Sequence, residues 1–307
     1  MSITYYKYQD IDKTKWDNCI THADNGLLYA QSFYLDAMAA NWDALVLSDY
    51  EAVMPLCWKN KFGIRYLYQP PFIQQMGIFF TNSLTREQQS AFIQLARQKF
   101  RFAEITLNYL NHPQLPDPGI ETGQRNNFIL NLDRTYEKLY ENYDPAFTKS
   151  LRRIKKFEML YVSSVNYQRT IAWYKLLYGS RLPFFPGKSY AAFENVCRKL
   201  FKENNVIIRH ARSTENKLLA SVILLRDEKR LYNVISCIST EGKKLEANYF
   251  LYDRIIHEFA DTAVMLDFEG SDVEGIAAFY KKFNPAKQPY PFIRYNNLPS
   301  YIKIFKR

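Results

Sequence analysis

The chain has 307 residues, beyond the length of most single domains, and its 47% hydrophobic and 23% charged content excludes a disordered chain and favours two folded domains. A formal net charge of +10 suits nucleic acid, an anionic membrane surface or a phosphate-bearing cofactor, and equally a merely solubilising surface. Cys19, Cys57, Cys197 and Cys237 lie far apart without a C-x-x-C pair, no leader-like segment opens the chain, and no apolar run is long enough to span a bilayer; buried thiols, a cytoplasmic location and no stable membrane insertion are therefore expected, with no metal site.

In chain order, the pattern predicts a strand at Ile3 to Tyr8, helices near 13 to 22 and 31 to 40, and strands at Ala44 to Leu47, Ala52 to Trp58 and Tyr66 to Gln69. A helix at 85 to 99 and strands at Phe102 to Asn108 and Asn127 to Leu132 follow, which puts a domain boundary near Asp133 and divides the chain into 1–133 and 134–307. Asp144-Pro145 then reads as an N-cap followed by proline at the first helical position. The helix it starts carries Phe147, Leu151 and Ile154 on one side and Lys149, Arg152, Arg153 and Lys156 on the other. Helices at 167 to 180 and 188 to 203 flank the breaker-rich, aromatic loop Leu182 to Gly187. Val206 to Arg212, Leu219 to Arg226 and Arg230 to Ile238 read as an antiparallel meander. An amphipathic helix through Ala247, Phe250, Leu251, Ile255 and Phe259, an apolar run at Ala263 to Phe268, a helix at 272 to 283 and a strand at Tyr290 to Tyr295 complete the order. The first half echoes the second more faintly, which suggests duplication.

Three segments resemble the FemABX-like branch of the GNAT acyltransferase superfamily. Tyr68-Gln69-Pro70-Pro71-Phe72 through Gly77 to Phe79 is similar to the Pro-rich, Gly-terminated segment of that branch's first domain. Leu130 to Asp133, continuing to Leu151-Arg152-Arg153-Ile154-Lys155-Lys156, is similar to its short helix and following basic helix. Asp267-Phe268-Glu269-Gly270-Ser271 with Gly275 to Phe283 is similar to its strand, glycine turn and closing helix. The resemblance implies an α/β (α+β) fold of two tandem GNAT-like domains, each a mixed, mainly antiparallel sheet flanked by helices. It implies transfer of an acyl or aminoacyl group to an amine, from acyl-CoA or, in the cell-wall branch, from aminoacyl-tRNA. The acceptor is then a small-molecule or cell-wall-precursor amine, and tRNA is a possible partner.

Such a transfer needs a phosphate-binding region, a proton acceptor and a donor for the oxyanion. GNAT enzymes bind pyrophosphate on a glycine-containing loop at a helix N-terminus, and the resemblance puts that loop at Ser239 to Ala247. Its family pattern R/Q-x-x-G-x-A is altered here, with Gly242 at the Arg or Gln position and Leu245 at the second glycine. Gly242, Lys243, Lys244, Ala247 and Asn248 are the resulting cofactor-binding candidates, with Glu241 and Glu246 opposing an anion. Lys149, Arg152, Arg153 and Lys156 read either as a solvated face or as a substrate-binding site for phosphates. Asp267 and Glu269 lie on one face by strand alternation, as proton acceptors or as caps of the next helix. In the family's F-K-x-x-F pattern, Phe279 and Phe283 match, Tyr280 takes the lysine position and Lys281 follows, so either is a candidate at the transfer site. His22, His112, His210 and His257 show neither metal-ligand nor triad spacing, and no Walker loop or G-x-G-x-x-G is present. An N-acyltransferase is the first reading, a Fem-type tRNA-dependent aminoacyltransferase the second and a non-catalytic binding pair the third.

Overall fold

The computed structural model of the protein describes residues 2–181, 187–270 and 272–299. The chain begins with β1 (Ile3–Tyr6), α1 (Lys13–His22), α2 (Ser32–Met38), β2 (Trp42–Leu47), β3 (Ala52–Lys61), β4 (Ile64–Tyr68) and β5 (Phe79–Phe80). It continues with α3 (Arg86–Lys99), β6 (Phe102–Thr106), β7 (Ile120–Arg125), β8 (Phe128–Asn131), α4 (Tyr136–Glu141), α5 (Pro145–Ile154), β9 (Leu160–Ser164), α6 (Tyr167–Tyr178) and α7 (Gly187–Lys202). Then come β10 (Val206–Arg212), β11 (Leu218–Arg226), β12 (Arg230–Ile238), α8 (Thr240–Lys244), α9 (Ala247–Phe259), β13 (Met265–Asp267), α10 (Glu274–Lys281), β14 (Ala286–Lys287) and β15 (Tyr290–Asn296). Most of the loop expected at Leu182 to Gly187 lies outside the described residues, as does Ser271.

Two compact units form, one from the residues up to Arg125 together with those from Pro289 onward, the other from Asn126–Gln288. The division differs from the one expected at Asp133, because the two flanking strands join the opposite sheets. β8 pairs antiparallel with β13 and β14, so it belongs to the second unit. β15 inserts between β6 and β7 of the first unit. Neither pairing leaves a trace in local periodicity.

Each sheet follows one plan. In the first unit β1 to β4 form an antiparallel meander, and β6, reached through helix α3, lies parallel to β4. In the second unit β9 to β12 form the meander, and β13, reached through α9, lies parallel to β12. Antiparallel strands then extend each sheet past the parallel pair. The central strand β11 is buried from Leu219 to Leu225 and is apolar there except for Ser221, rather than alternating.

Local chemistry fixes the elements that carry the site. Asp144 caps α5 by accepting from the Phe147 N–H at 2.9 Å, with Pro145 beside the cap. Phe147, Leu151 and Ile154 are buried in the second unit's core, packed near Tyr143 and Phe283, while Lys149, Arg152, Arg153 and Lys156 are exposed. Thr85 and Gln88 form a reciprocal capping box that starts α3.

Candidate functional site

The second sheet opens where β12 outruns β13. Their parallel pairing covers Arg230 to Tyr232 against Met265 to Asp267, after which β12 continues to Ile238 and the other strand ends. A register shift against β11 aligns Ile223 with Ile235 and Leu224 with Asn233, leaving Val234 as the extra residue of a bulge. The bulge lets Asn233 and Val234 both join the wall that Ser236 and Ile238 continue. The resulting cavity of about 850 Å³ is lined from β12, from α6 by Tyr174 and Tyr178, from the start of α9 by Glu246, Asn248 and Tyr249, and from the β13–α10 turn by Phe268, Glu269 and Gly270. Helix α10 closes it with Ile276, Phe279 and Tyr280.

Gly270 makes that turn possible. Its φ is +51°, and a Cβ there would stand 1.9 Å from the Asn126 carbonyl oxygen. Glu269 is itself left-handed at φ 61°, so it leaves the strand alternation that would have put it on one face with Asp267. Asp267 turns into the core instead. It forms a buried 2.8 Å ion pair with Arg230, accepts from the Glu269 N–H at 3.0 Å, and is absent from the cavity wall. Of the two carboxylates expected as proton acceptors, Asp267 is thus paired in the core and Glu269 alone lines the cavity.

Glu269 lines the cavity, and its Oε1 is buried without a hydrogen-bond partner among the described residues. Burial pushes its carboxyl up to about 8, from an ordinary value near 4.5. Tyr280 is buried against Phe268, with ring centroids 4.7 Å apart. Its hydroxyl oxygen accepts from Asn233 Nδ2 at 3.3 Å, and Asn233 Oδ1 accepts from the Tyr252 hydroxyl at 2.9 Å. The relay fixes the Tyr280 phenol in the cavity wall. Burial holds the Tyr280 phenol well above its ordinary value, so it stays a neutral donor. Lys281, by contrast, is exposed and lies outside the cavity wall.

The segment expected as a phosphate loop is a short helix, α8, followed by a left-handed Glu246 and the start of α9. Gly242 is buried inside α8, where a Cβ would meet the Leu219 carbonyl oxygen at 2.2 Å. Its N–H donates to Ser239 Oγ at 2.8 Å, so it serves helix-to-strand packing rather than a ligand. Lys244 is exposed and stands outside the wall, whereas Lys243 lines it. Ala247 is buried and can offer only backbone; Asn248 lines the cavity with Oδ1 buried and unpartnered among the described residues. Arg153 pairs with Glu246 at 2.6 Å, so it neutralises the carboxylate at the α9 N-terminus instead of standing free for phosphate. Lys149, Arg152 and Lys156 remain exposed.

Sequence reading missed Asn233, Tyr252, Tyr174 and Tyr178. The available signal was Asn233 itself, an amide inside the apolar strand Leu231 to Ile235. The four histidines contribute no wall residue; His210 is buried, bonded to Ser221 Oγ at 2.8 Å, and burial lowers it to about 4. All four cysteines are free and buried. Among the described residues no helix is long and apolar enough to cross a membrane.

Residues 146–282 match the family model described as an acetyltransferase (GNAT) domain. No curated protein matches the chain in sequence. Among solved structures, FemX is similar at 13% identity over 100% of both chains, with a TM-score of 0.68. A conserved protein of unknown function from Bacteroides thetaiotaomicron VPI-5482 is similar at 9% identity, over 96% of this chain and 100% of its own, with a TM-score of 0.59. The C-terminal domain of a putative lysylphosphatidylglycerol synthetase from Agrobacterium fabrum is similar at 10% identity, over 96% and 94%, with a TM-score of 0.52. The chain thus has a FemABX-like GNAT fold, and its residues 146–282 match the GNAT domain model.

Proposed function

We propose that the protein is an N-acyltransferase that moves an acyl group from a CoA-type thioester to an amine in the cavity between β12 and α10. One observation carries the reading: the Glu269 carboxyl, whose Oε1 is buried without a partner among the described residues, and a neutral phenol, Tyr280, line the same opening of the sheet. In this reading the amine nitrogen attacks the thioester carbonyl carbon, and its proton passes to the ionised Glu269 carboxylate. Tyr280 donates to the oxygen on which negative charge develops, while Asn233 and Tyr252 hold that phenol in place. The attack forms the C–N bond; collapse of the tetrahedral intermediate restores the carbonyl, breaks the C–S bond and releases the thiolate, which takes up the proton held by Glu269. Asn248 Oδ1 accepts an N–H of either substrate, and Lys243 with the first N–H groups of α9 receives phosphate.

A second reading, with aminoacyl-tRNA as donor and a cell-wall precursor as acceptor, is favoured by one observation, the exposed cations Lys149, Arg152 and Lys156 on α5. Thermal denaturation separates the two, since a ligand that binds the native state raises its melting temperature. Acetyl-CoA raises the midpoint and aminoacyl-tRNA does not if the first reading holds. Stabilisation by aminoacyl-tRNA alone transfers the conclusion to the second, and no stabilisation by either leaves a non-catalytic binding pair. Tyr280→Phe then lowers kcat by about 10²- to 10³-fold with little change in KM, as for loss of one oxyanion donor.

A further inference from the structure

The cavity is larger than a two-carbon acyl group. At ~30 Å³ for a water-sized group, the three heavy atoms of an acetyl occupy on the order of 100 Å³. The cavity holds about 850 Å³. The thioester arm and the amine share that volume, and one part of its wall is the start of α10. Val273, just before that helix, is 62% exposed and Ile276 is 43% exposed, yet both line the cavity. Val273 is the extended residue before the helix, and Ile276 and Tyr280, four residues apart, share one face of it. Val273 and Tyr280 are seven residues apart, about 10 Å along a helix axis.

Gly275 also lines this lip, and an ideal Cβ there would meet nothing within 4 Å. It has neither the close neighbour of Gly242 nor the positive φ of Gly270. Alanine is the better helix former, so the backbone gives no reason for glycine at this position. What glycine provides is room. Deeper in, Phe279 stacks on Tyr249 with centroids 5.4 Å apart and planes 6° from parallel, making a flat apolar wall behind the lip.

We propose that Val273, Gly275 and Ile276 form a subsite for the hydrocarbon chain of the transferred acyl group, so that the preferred donor carries a medium-length chain rather than acetyl. The carbonyl lies at Tyr280 and the chain runs back toward the start of α10. At ~1.2 Å per bond of an extended chain, about 10 Å accommodates on the order of eight carbons. The assignment rests on the thioester reading above and specifies its substrate.

The test is equilibrium binding of acetyl-, butyryl-, hexanoyl- and octanoyl-CoA to the full chain and to Gly275→Phe, Gly275→Ala and Ile276→Ser. Affinity of the unaltered protein is expected to rise about two- to fourfold per methylene, as for hydrocarbon leaving water. Gly275→Phe flattens the series, bringing octanoyl-CoA down to the acetyl-CoA level. Should that variant fail to fold, Gly275→Ala and Ile276→Ser, which alter an open or surface position, reduce the slope without abolishing it. A protein that binds all four thioesters equally overturns the chain subsite while leaving the thioester donor intact. A protein that binds none of them overturns the donor reading and the subsite with it.

Discussion

The two units share one sheet plan and differ at the place where their parallel strands part. In the second unit the gap beyond β12 and β13 stays open and is walled by Asn233, Glu269 and Tyr280. In the first unit β4 and β6 pair only at Leu67 with Ala103 and Tyr68 with Glu104, and the chain itself then bridges the gap. Gln69 Oε1 accepts from the Thr106 N–H at 3.1 Å, Gln69 Nε2 donates to the Ile73 carbonyl at 2.8 Å, and Thr106 Oγ1 donates to the Gln74 carbonyl at 2.7 Å. Gln75 Oε1 accepts from the Tyr109 N–H at 3.0 Å, and Asn111 Oδ1 accepts from Ile78 and Asn108. The lesson is that the topology supplies a splay, and the residues after the first parallel strand decide whether it becomes a site or a seam.

Substitutions on the two sides of this contrast should therefore read out differently. Glu269→Gln carries the largest expected effect, a 10²- to 10⁴-fold loss of kcat from removal of the proton acceptor. In the parent enzyme kcat/KM rises with pH toward a plateau above about 8, because only the ionised carboxylate accepts a proton, and the variant loses that rise. The same variant is more stable at high pH. The folded-state value is raised, so the unfolded chain releases the proton first; stability is full below the ordinary value and is lost as pH climbs to about 8. Melting curves from pH 5 to 9 should show an advantage for the variant that grows to roughly 2–4 kcal/mol.

Asp267→Ala comes next and acts on folding, since Arg230 stays buried without its carboxylate; chemical denaturation should show a loss of about 3–5 kcal/mol. A stable Asp267→Ala protein with kcat reduced as far as in Glu269→Gln would reverse the roles given to these two carboxylates. In the first unit, Gln69→Ala strands the Thr106 N–H and should cost about 1–3 kcal/mol with kcat unchanged. An equal fall in kcat would mean that the bridged gap is not merely a seam. Smallest is the charge reversal Lys149→Glu with Arg152→Glu and Lys156→Glu. On the thioester reading, KM for the donor rises only about two- to fivefold at low salt and the difference disappears at high salt, the behaviour of exposed charges.

Much of the fold could be read before any coordinates. Asp144-Pro145 announced α5, the β-rich run Leu219 to Arg226 announced β11 as a strand of a meander, and the order of meander, helix and strand matched the second unit's plan. β7 was invisible because Ile120 to Arg125 contains one buried apolar residue and is a strand only by pairing with β15. β9 was hidden by its edge position, where Leu160 is 45% exposed and alternation has little to act on. Within the candidate site, Glu269 and Tyr280 could be named from a motif, whereas telling Asp267 from Glu269 required the left-handed turn at Glu269 and Gly270. Arg230, the partner that commits Asp267, lies 37 residues away in sequence, beyond the reach of any local pattern.

The insertion of β15 between β6 and β7 has a kinetic consequence. During synthesis, the segment Asn126–Gln288 is complete before Tyr290–Asn296 is made, although Ile3–Thr106 left the ribosome far earlier. The usual vectorial order, N-terminal unit first, is thereby inverted for the final step. β6 must keep an open edge, with unsatisfied backbone donors and acceptors, until the last strand arrives to join it to β7. A nascent chain arrested before Pro289 would carry a finished catalytic half and an adhesive, unfinished companion, which makes this strand the natural point at which chaperone dependence enters.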